Sequence, residues 1–153
     1  MSAAAATVPF EMTRMVRENC LCFRVQRASR AIGRMFDEAL RPLGLTNFQF
    51  SLLMMLNRPS PPTIGGLAES LAMDRTTITA NLKPLERRGL VTVRRDDNDS
   101  RVKLIALTSA GRSLLAKCVE HWQAANDAVR TRLSANELSS LYSNLEVIAQ
   151  ARP

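Results

Sequence analysis

Residues 63–108 constrain the fold more than any other part of this chain. Two stretches with helical spacing are followed at once by two that read as strands. In the first, Ile64, Leu67, Ala68 and Leu71 recur at the three- and four-residue intervals that gather side chains on one helix face. Ile78, Leu82 and Leu85 do the same in the second. Ala72, Met73 and Asp74 form the joint, with Asp74 placed to cap the second helix by accepting from its free N–H groups. Two helices across so short a joint make a helix-turn-helix, and its second helix is the element that enters a DNA groove. Gly89 marks that helix's end. Then Leu90, Val91, Thr92 and Val93, and later Val102, Lys103, Leu104, Ile105, Ala106 and Leu107, alternate or run apolar like paired strands. Residues 94–101 between them are polar, with an arginine at each end. A hairpin with a basic tip beside a reading helix is a winged helix, whose tip can reach a minor groove.

The outward side of the second helix carries Arg75, Thr76, Thr77, Thr79, Asn81 and Lys83. These residues supply the donors and acceptors that base edges and phosphates require. The same residues also fit an ordinary solvated face. Charge favours the first reading. The chain carries a formal charge of +7. Residues 75–103 hold eight basic and four acidic side chains, a net +4, so most of the excess sits on this unit. Such a surface suits a polyanion. Arg75, Thr76, Thr77 and Thr79 are expected in the major groove, Lys83 and Arg94 or Arg95 on phosphate, and Arg101 in the flanking minor groove. Asp99, two residues before Arg101, can orient that guanidinium while leaving it free to bind. Pro84 conflicts locally with a helix, since it removes a donor. The continuous spacing of Leu82, Leu85 and Arg88 nevertheless predicts a helix that runs on with a bend.

The run LAMDRTTITANLKPLERRGLV, followed by DSR and LTSAG, resembles the MarR family of bacterial transcription regulators. The family's wing motif falls here on Asp99, Arg101, Leu107, Thr108 and Gly111, and the likeness extends over roughly residues 14–149. One departure is Ser100, where the family often has a second basic residue before Arg101. The resemblance implies a mainly α chain with a small β-hairpin wing, forming a single domain over 1–153. Residues 46–107 would be its winged helix, and residues 8–45 and 108–153 long terminal helices for dimerisation. It further implies a homodimeric repressor on double-stranded DNA, at an imperfect inverted repeat, relieved by a small-molecule ligand, and the chain's own methionine-rich residues suit an aromatic or acyl one.

Elsewhere the chain reads as helices. Leu21, Val25, Ala28, Ile32, Phe36 and Leu40 predict one long helix over 14–40, stopped near Pro42 and Gly44. Thr46 and Gln49 form a capping-box pattern for a second helix to about residue 57. Phe48, Phe50, Leu52, Leu53, Met54, Met55 and Leu56 make that helix too apolar for a surface position, so burial on most sides is expected. Residues 59–62 form a stiff proline-rich connector. Residues 109–132 predict a helix of roughly 36 Å at about 1.5 Å per residue. Ser134 and Glu137 form a capping box for the last one. Val8, Phe10, Met12 and Met15, with the stripe of Leu138, Leu141, Tyr142, Leu145 and Ile148, offer a surface for a second copy or for packing within one chain. No stretch is long and apolar enough to span a bilayer. The first seven residues lack the pattern of a secretion signal and read as a frayed tail, so a cytoplasmic protein is expected.

Two routes for a signal stay open. Cys22, with Leu21, Phe23, Ala28, Ser29, Arg30 and Ala31 around it, resembles the peroxide-sensing OhrR branch, which implies a sensor thiol. That branch has tyrosines where this chain has Gln26 and Phe36. Arg24 and Arg27 would lower the thiol pKa if they faced it; a buried cysteine is more often inert filling. The other route is a pocket. Phe23, Met35, Phe36, Phe50, Met54 and Met55 are apolar and pliable, and Arg27, Arg30 and Arg34 share a helical stripe that could receive an anionic group. Plain core packing and ion pairs with Asp37 or Glu38 account for the same residues. Three cysteines in one chain give no disulfide framework. His121 is the only histidine, so no metal or cofactor is expected. No nucleophile–base constellation suggests an enzyme. Two rivals remain: a winged helix used for protein assembly, and a thiol peroxidase.

Overall fold

The computed structural model describes residues 7–97, 99 and 101–150. Among these the chain forms seven α-helices and one hairpin: α1 (Phe10–Asn19), α2 (Leu21–Leu40), α3 (Asn47–Leu56), α4 (Ile64–Ser70), α5 (Arg75–Arg87), β1 (Val91–Arg95), β2 (Lys103–Leu107), α6 (Ser109–Arg130) and α7 (Ala135–Gln150). A 3₁₀ turn, Arg41–Leu43, follows α2. The expected mainly α winged helix is therefore the observed fold.

The expected single helix over 14–40 is two helices. The break is at Cys20, whose backbone is extended (φ −72°, ψ 109°). Its amide still closes α1 on the Val16 carbonyl at 2.8 Å, while its Sγ caps α2 by accepting from the Phe23 N–H at 3.4 Å. Arg24 then donates to the Glu18 carbonyl from Nε and Nη2, at 3.0 and 2.6 Å, so it closes the exposed end of α1 and does not serve Cys22. An apolar period cannot reveal such a joint, because the spacing from Leu21 onward continues undisturbed.

Local signals fixed most other boundaries. The Thr46–Gln49 capping box is complete, with both reciprocal hydrogen bonds present. Ser134 and Glu137 repeat the arrangement before α7. Thr63 caps α4 through Gly66 N–H at 3.0 Å, and Thr108 caps α6 through Gly111 N–H at 3.0 Å. Helix α5 runs through Pro84; the carbonyl that the missing N–H would have taken belongs to Ala80, on the exposed side. Past it, Gly89 takes φ +68°, with Gly89 N–H on the Glu86 carbonyl and Leu90 N–H on the Leu85 carbonyl. That left-handed closure satisfies carbonyls the helix leaves orphaned.

The core is built by α2, α3, α4, α5, the hairpin and α6. Leu40, Leu52, Leu53, Leu67, Ile78, Leu85 and Ile105 are fully buried. Each contributes about 1.5–3 kcal/mol relative to an exposed position. Helix α3 is buried as expected at Phe50, Leu52, Leu53 and Leu56, but Met54 stays 44% exposed. Helices α1 and α7 bury none of their residues. Phe10 is 77% and Val147 70% exposed, so packing within the chain does not cover the terminal apolar stripes.

The two strands pair antiparallel, Val91 opposite Leu107 through Arg95 opposite Lys103. Arg94 and Arg95, expected in the tip, are thus strand residues held in register by Leu104 and Lys103. On its other side β2 meets the connector: Thr63 bridges Leu104, and Ile105 N–H donates to the Pro62 carbonyl at 3.0 Å. Thr108 donates its hydroxyl to the Gly89 carbonyl at 2.7 Å, and Gly111 sits against the Leu90 carbonyl. A Cβ at 111 would lie 2.0 Å from that oxygen, which is why the turn into α6 carries glycine there.

Candidate nucleic-acid interface

Helix α5 begins where Asp74 accepts from Thr77 N–H at 2.7 Å and from Thr77 Oγ1 at 2.6 Å. These bonds, the side-chain one first, hold the Asp74 carboxyl below its ordinary pKa. The joint before it turns at Ala72, a non-glycine residue at φ +49°. Met73 N–H closes α4 on the Ala68 carbonyl there. Ile78, Leu82 and Leu85 anchor the helix inward. Its other face is open: Arg75, Thr76 and Lys83 are exposed, and Thr77, Thr79 and Asn81 half-buried.

Those six side chains are not equivalent. Thr79 donates to the Arg75 carbonyl at 2.7 Å, which spends its hydroxyl proton, and Asn81 gives one of its two amide N–H groups to the Thr77 carbonyl at 3.0 Å. Each keeps an oxygen able to accept. Among the described residues, the side chains of Arg75, Thr76 and Lys83 have no such engagement. The Arg75 guanidinium lies over Gly65 of α4, where a Cβ would come within 3.1 Å of Nη2.

The wing supplies a second cationic element. Asp99 accepts from Arg101 Nε at 3.0 Å and from Nη2 at 2.9 Å, and also from the Arg101 backbone N–H at 3.0 Å. The paired guanidinium draws the Asp99 carboxyl below its ordinary pKa, and Asp99 raises that of Arg101. Arg94 pairs with Asp97 at 3.4 Å. Ser100, the departure from the family motif, lies outside the described residues. A groove of about 430 Å³ with three cations on its walls joins the two elements, lined among others by Arg75 and Thr79 from α5, Gly65 from α4, and Arg101 and Lys103 from the wing. These cations are legible in the sequence; the place of Thr63 and Gly65 between them is not.

The residues considered for a signal separate. Phe50 and Met54 line an apolar pocket of about 360 Å³ with Ser51, Met55, Leu71, Val119 and Trp122. Cys22, Phe23, Arg27 and Arg30 are exposed on α2, outside that lining, while Met35 is half-buried and Phe36 buried. Helix length explains the split: fourteen residues from Cys22 to Phe36 span roughly 21 Å. Leu71, Val119 and Trp122 were not expected in the pocket. Cys22 Sγ accepts from Gln26 Nε2 at 3.2 Å, and Gln26 in turn accepts from Arg30 at 3.4 Å. Cys118 is buried, which pushes its thiol pKa up. His121 Nδ1 lies 2.9 Å from the Ala39 carbonyl, tying α6 to α2. Among the described residues no group of three or more His, Cys, Asp or Glu could hold a metal ion, and no helix is long and apolar enough to cross a membrane.

Comparison with known proteins agrees with this geometry. The MarR family profile matches residues 45–103. The organic hydroperoxide resistance transcriptional regulator of Bacillus subtilis is 35% identical over 106 residues, covering 69% of this chain and 72% of that protein. The chain belongs to the MarR family. Its fold also matches the M. tuberculosis transcriptional regulator MosR in complex with DNA, with TM-score 0.75 and 37% identity over 86% of this chain and 97% of that one. CouR from Rhodococcus jostii RHA1, bound to p-coumaroyl-CoA, matches with TM-score 0.77 and 26% identity, covering 89% and 96% respectively. As a MarR-family member the protein is a DNA-binding transcription regulator and not an enzyme.

Proposed function

We propose that this regulator works as a homodimeric repressor in the cytoplasm, seated on an imperfect inverted repeat. The observation that carries the reading is the shared groove of α5 and the wing, where Arg75, Thr79, Arg101 and Lys103 meet. Arg75, Thr76, Thr77 and Thr79 read the major groove, with Asn81 beside them; Lys83 and Arg94 or Arg95 hold phosphate; Arg101, oriented by Asp99, enters the flanking minor groove. Residues 46–107 form the reading part. Residues 8–45 and 108–153 pair the two copies, which the uncovered stripes of α1 and α7 support. Competition between duplexes tests the reading. A duplex from upstream of the protein's own gene should resist unrelated competitor DNA, and half of its inverted repeat should bind far more weakly. Equal displacement by any duplex would leave the protein-assembly reading in its place.

Relief by a small aromatic or acyl ligand fits the apolar pocket of Phe50, Met54, Met55 and Trp122. The p-coumaroyl-CoA complex of CouR supports that ligand class. A second reading is favoured by the exposure of Cys22 and by the likeness to an organic hydroperoxide regulator. In it the Cys22 thiolate takes the terminal oxygen of a hydroperoxide, becoming a sulfenic acid as the alcohol leaves. Stoichiometric loss of DNA binding on hydroperoxide treatment, abolished by Cys22→Ser, would select this route over the pocket.

A further inference from the structure

Arg88 stands at the C-cap of the reading helix, yet its side chain is spent elsewhere. Nη1 donates to the Gly44 carbonyl at 2.5 Å and Nη2 to the Leu43 carbonyl at 3.2 Å. Both acceptors belong to the corner that ends α2, more than forty residues away in sequence. The fork lies flat over Gly44, 3.5–3.8 Å from where a Cβ would stand, and that glycine holds φ +68°. Among the described residues no carboxylate pairs with Arg88, and its charge also acts on the Cys118 thiol of α6. One guanidinium thus touches the end of α2, the end of α5 and the field of α6. A forked donor suits two adjacent carbonyls in a way an ammonium does not.

We infer that Arg88 is a positioning residue that sets the angle of the reading helix against the dimer frame, and so selects the half-site spacing of the operator. Helix α5 has 13 residues, roughly 20 Å. A tilt of about 10° over that length displaces one end by roughly 3.5 Å, the rise of one base pair. Asp74 and the inward leucines fix the near end and the axis. Arg88 fixes the far end to the corner that follows α2.

This inference rests on the inverted-repeat reading above, and the experiment separates the two. A preferred duplex is selected from random sequence with the unsubstituted protein, then remade with one base pair added to or removed from the centre. The unsubstituted protein should lose at least tenfold in affinity on either change. Arg88→Gln should shrink that penalty to threefold or less, with an unaltered slope of log affinity against log salt, because the guanidinium is engaged by the Gly44 and Leu43 carbonyls. Arg88→Lys, which keeps the charge but not the fork, should give an intermediate penalty and guards against a folding defect in the first variant. Equal weakening on all three duplexes, or no change on any, overturns the role. A spacing-indifferent unsubstituted protein overturns the operator reading and this inference with it.

Discussion

Asp99 grips Arg101 by two arms of its guanidinium, at 3.0 and 2.9 Å, while the arginine side chain stays 89% exposed. The carboxylate aims the cation without hiding it. Arg101→Ala should therefore weaken DNA binding and reduce the slope of log affinity against log salt by about 1. Asp99→Asn should act differently. Unspecific binding rises with the added net charge, the aimed contact is lost, and the ratio of specific to unspecific affinity falls. Filter-binding titrations over a salt series measure both effects; an Arg101→Ala slope equal to the original removes Arg101 from the interface.

Gly111 faces the Leu90 carbonyl at the turn into α6, where a Cβ would sit 2.0 Å from the oxygen. Backbone cannot swing aside as a side chain does. Gly111→Ala should destabilise the protein by about 3 kcal/mol, the upper end of what overpacking costs. Urea unfolding gives the figure. A loss below about 1 kcal/mol would show that the hairpin shifts freely at Leu90.

Acid should loosen three joints together. Asp74 is held below its ordinary pKa by Thr77, Asp99 by Arg101, and Glu137 by Ser134. A carboxyl depressed in the folded state contributes stability that is complete above its unfolded value, roughly pH 4, and is lost as pH falls through the folded value. Melting temperature should be level from neutral pH down to about pH 5 and fall below about pH 4. Asp74→Ser, which keeps an acceptor for the α5 cap, should follow the original curve more closely than Asp74→Ala. Coincident curves for all three would show that the cap is idle.

Trp122 is the only tryptophan in the chain, and it lines the apolar pocket. An aromatic acyl thioester entering that pocket should quench or shift its emission, with a saturable titration. Met54→Lys places a charge on the half-open rim and should abolish the optical change while preserving DNA binding. An unmoved Trp122 signal in a titration that still releases DNA would put the ligand elsewhere.

Features written in a few adjacent residues are legible in the sequence alone. Asp74, Gly89, Thr46 with Gln49 and Ser134 with Glu137 each announce a helix end through chemistry that reaches no further than three or four positions. The outward face of α5 was readable because Ile78, Leu82 and Leu85 define its inward one. What stayed hidden depends on distant partners. Arg94 and Arg95 become strand only because Leu104 and Lys103 lie opposite. The need for glycine at 111 comes from an oxygen twenty-one residues away. Leu71, Val119 and Trp122 read as helix stripes until the fold brings them to one pocket beside α3. Cys20 hid differently: its thiol does the work of a serine hydroxyl at an N-cap, a role for which cysteine is seldom chosen.

The bridge between Thr63 and Leu104 fastens the hairpin to the connector that launches α4, while Thr108 pins the hairpin's exit to the end of α5. Finger and blade therefore share one handle. If the duplex is held as proposed, neither lets go alone, and a signal that frees the DNA would carry the whole hand to a new place rather than open its grip.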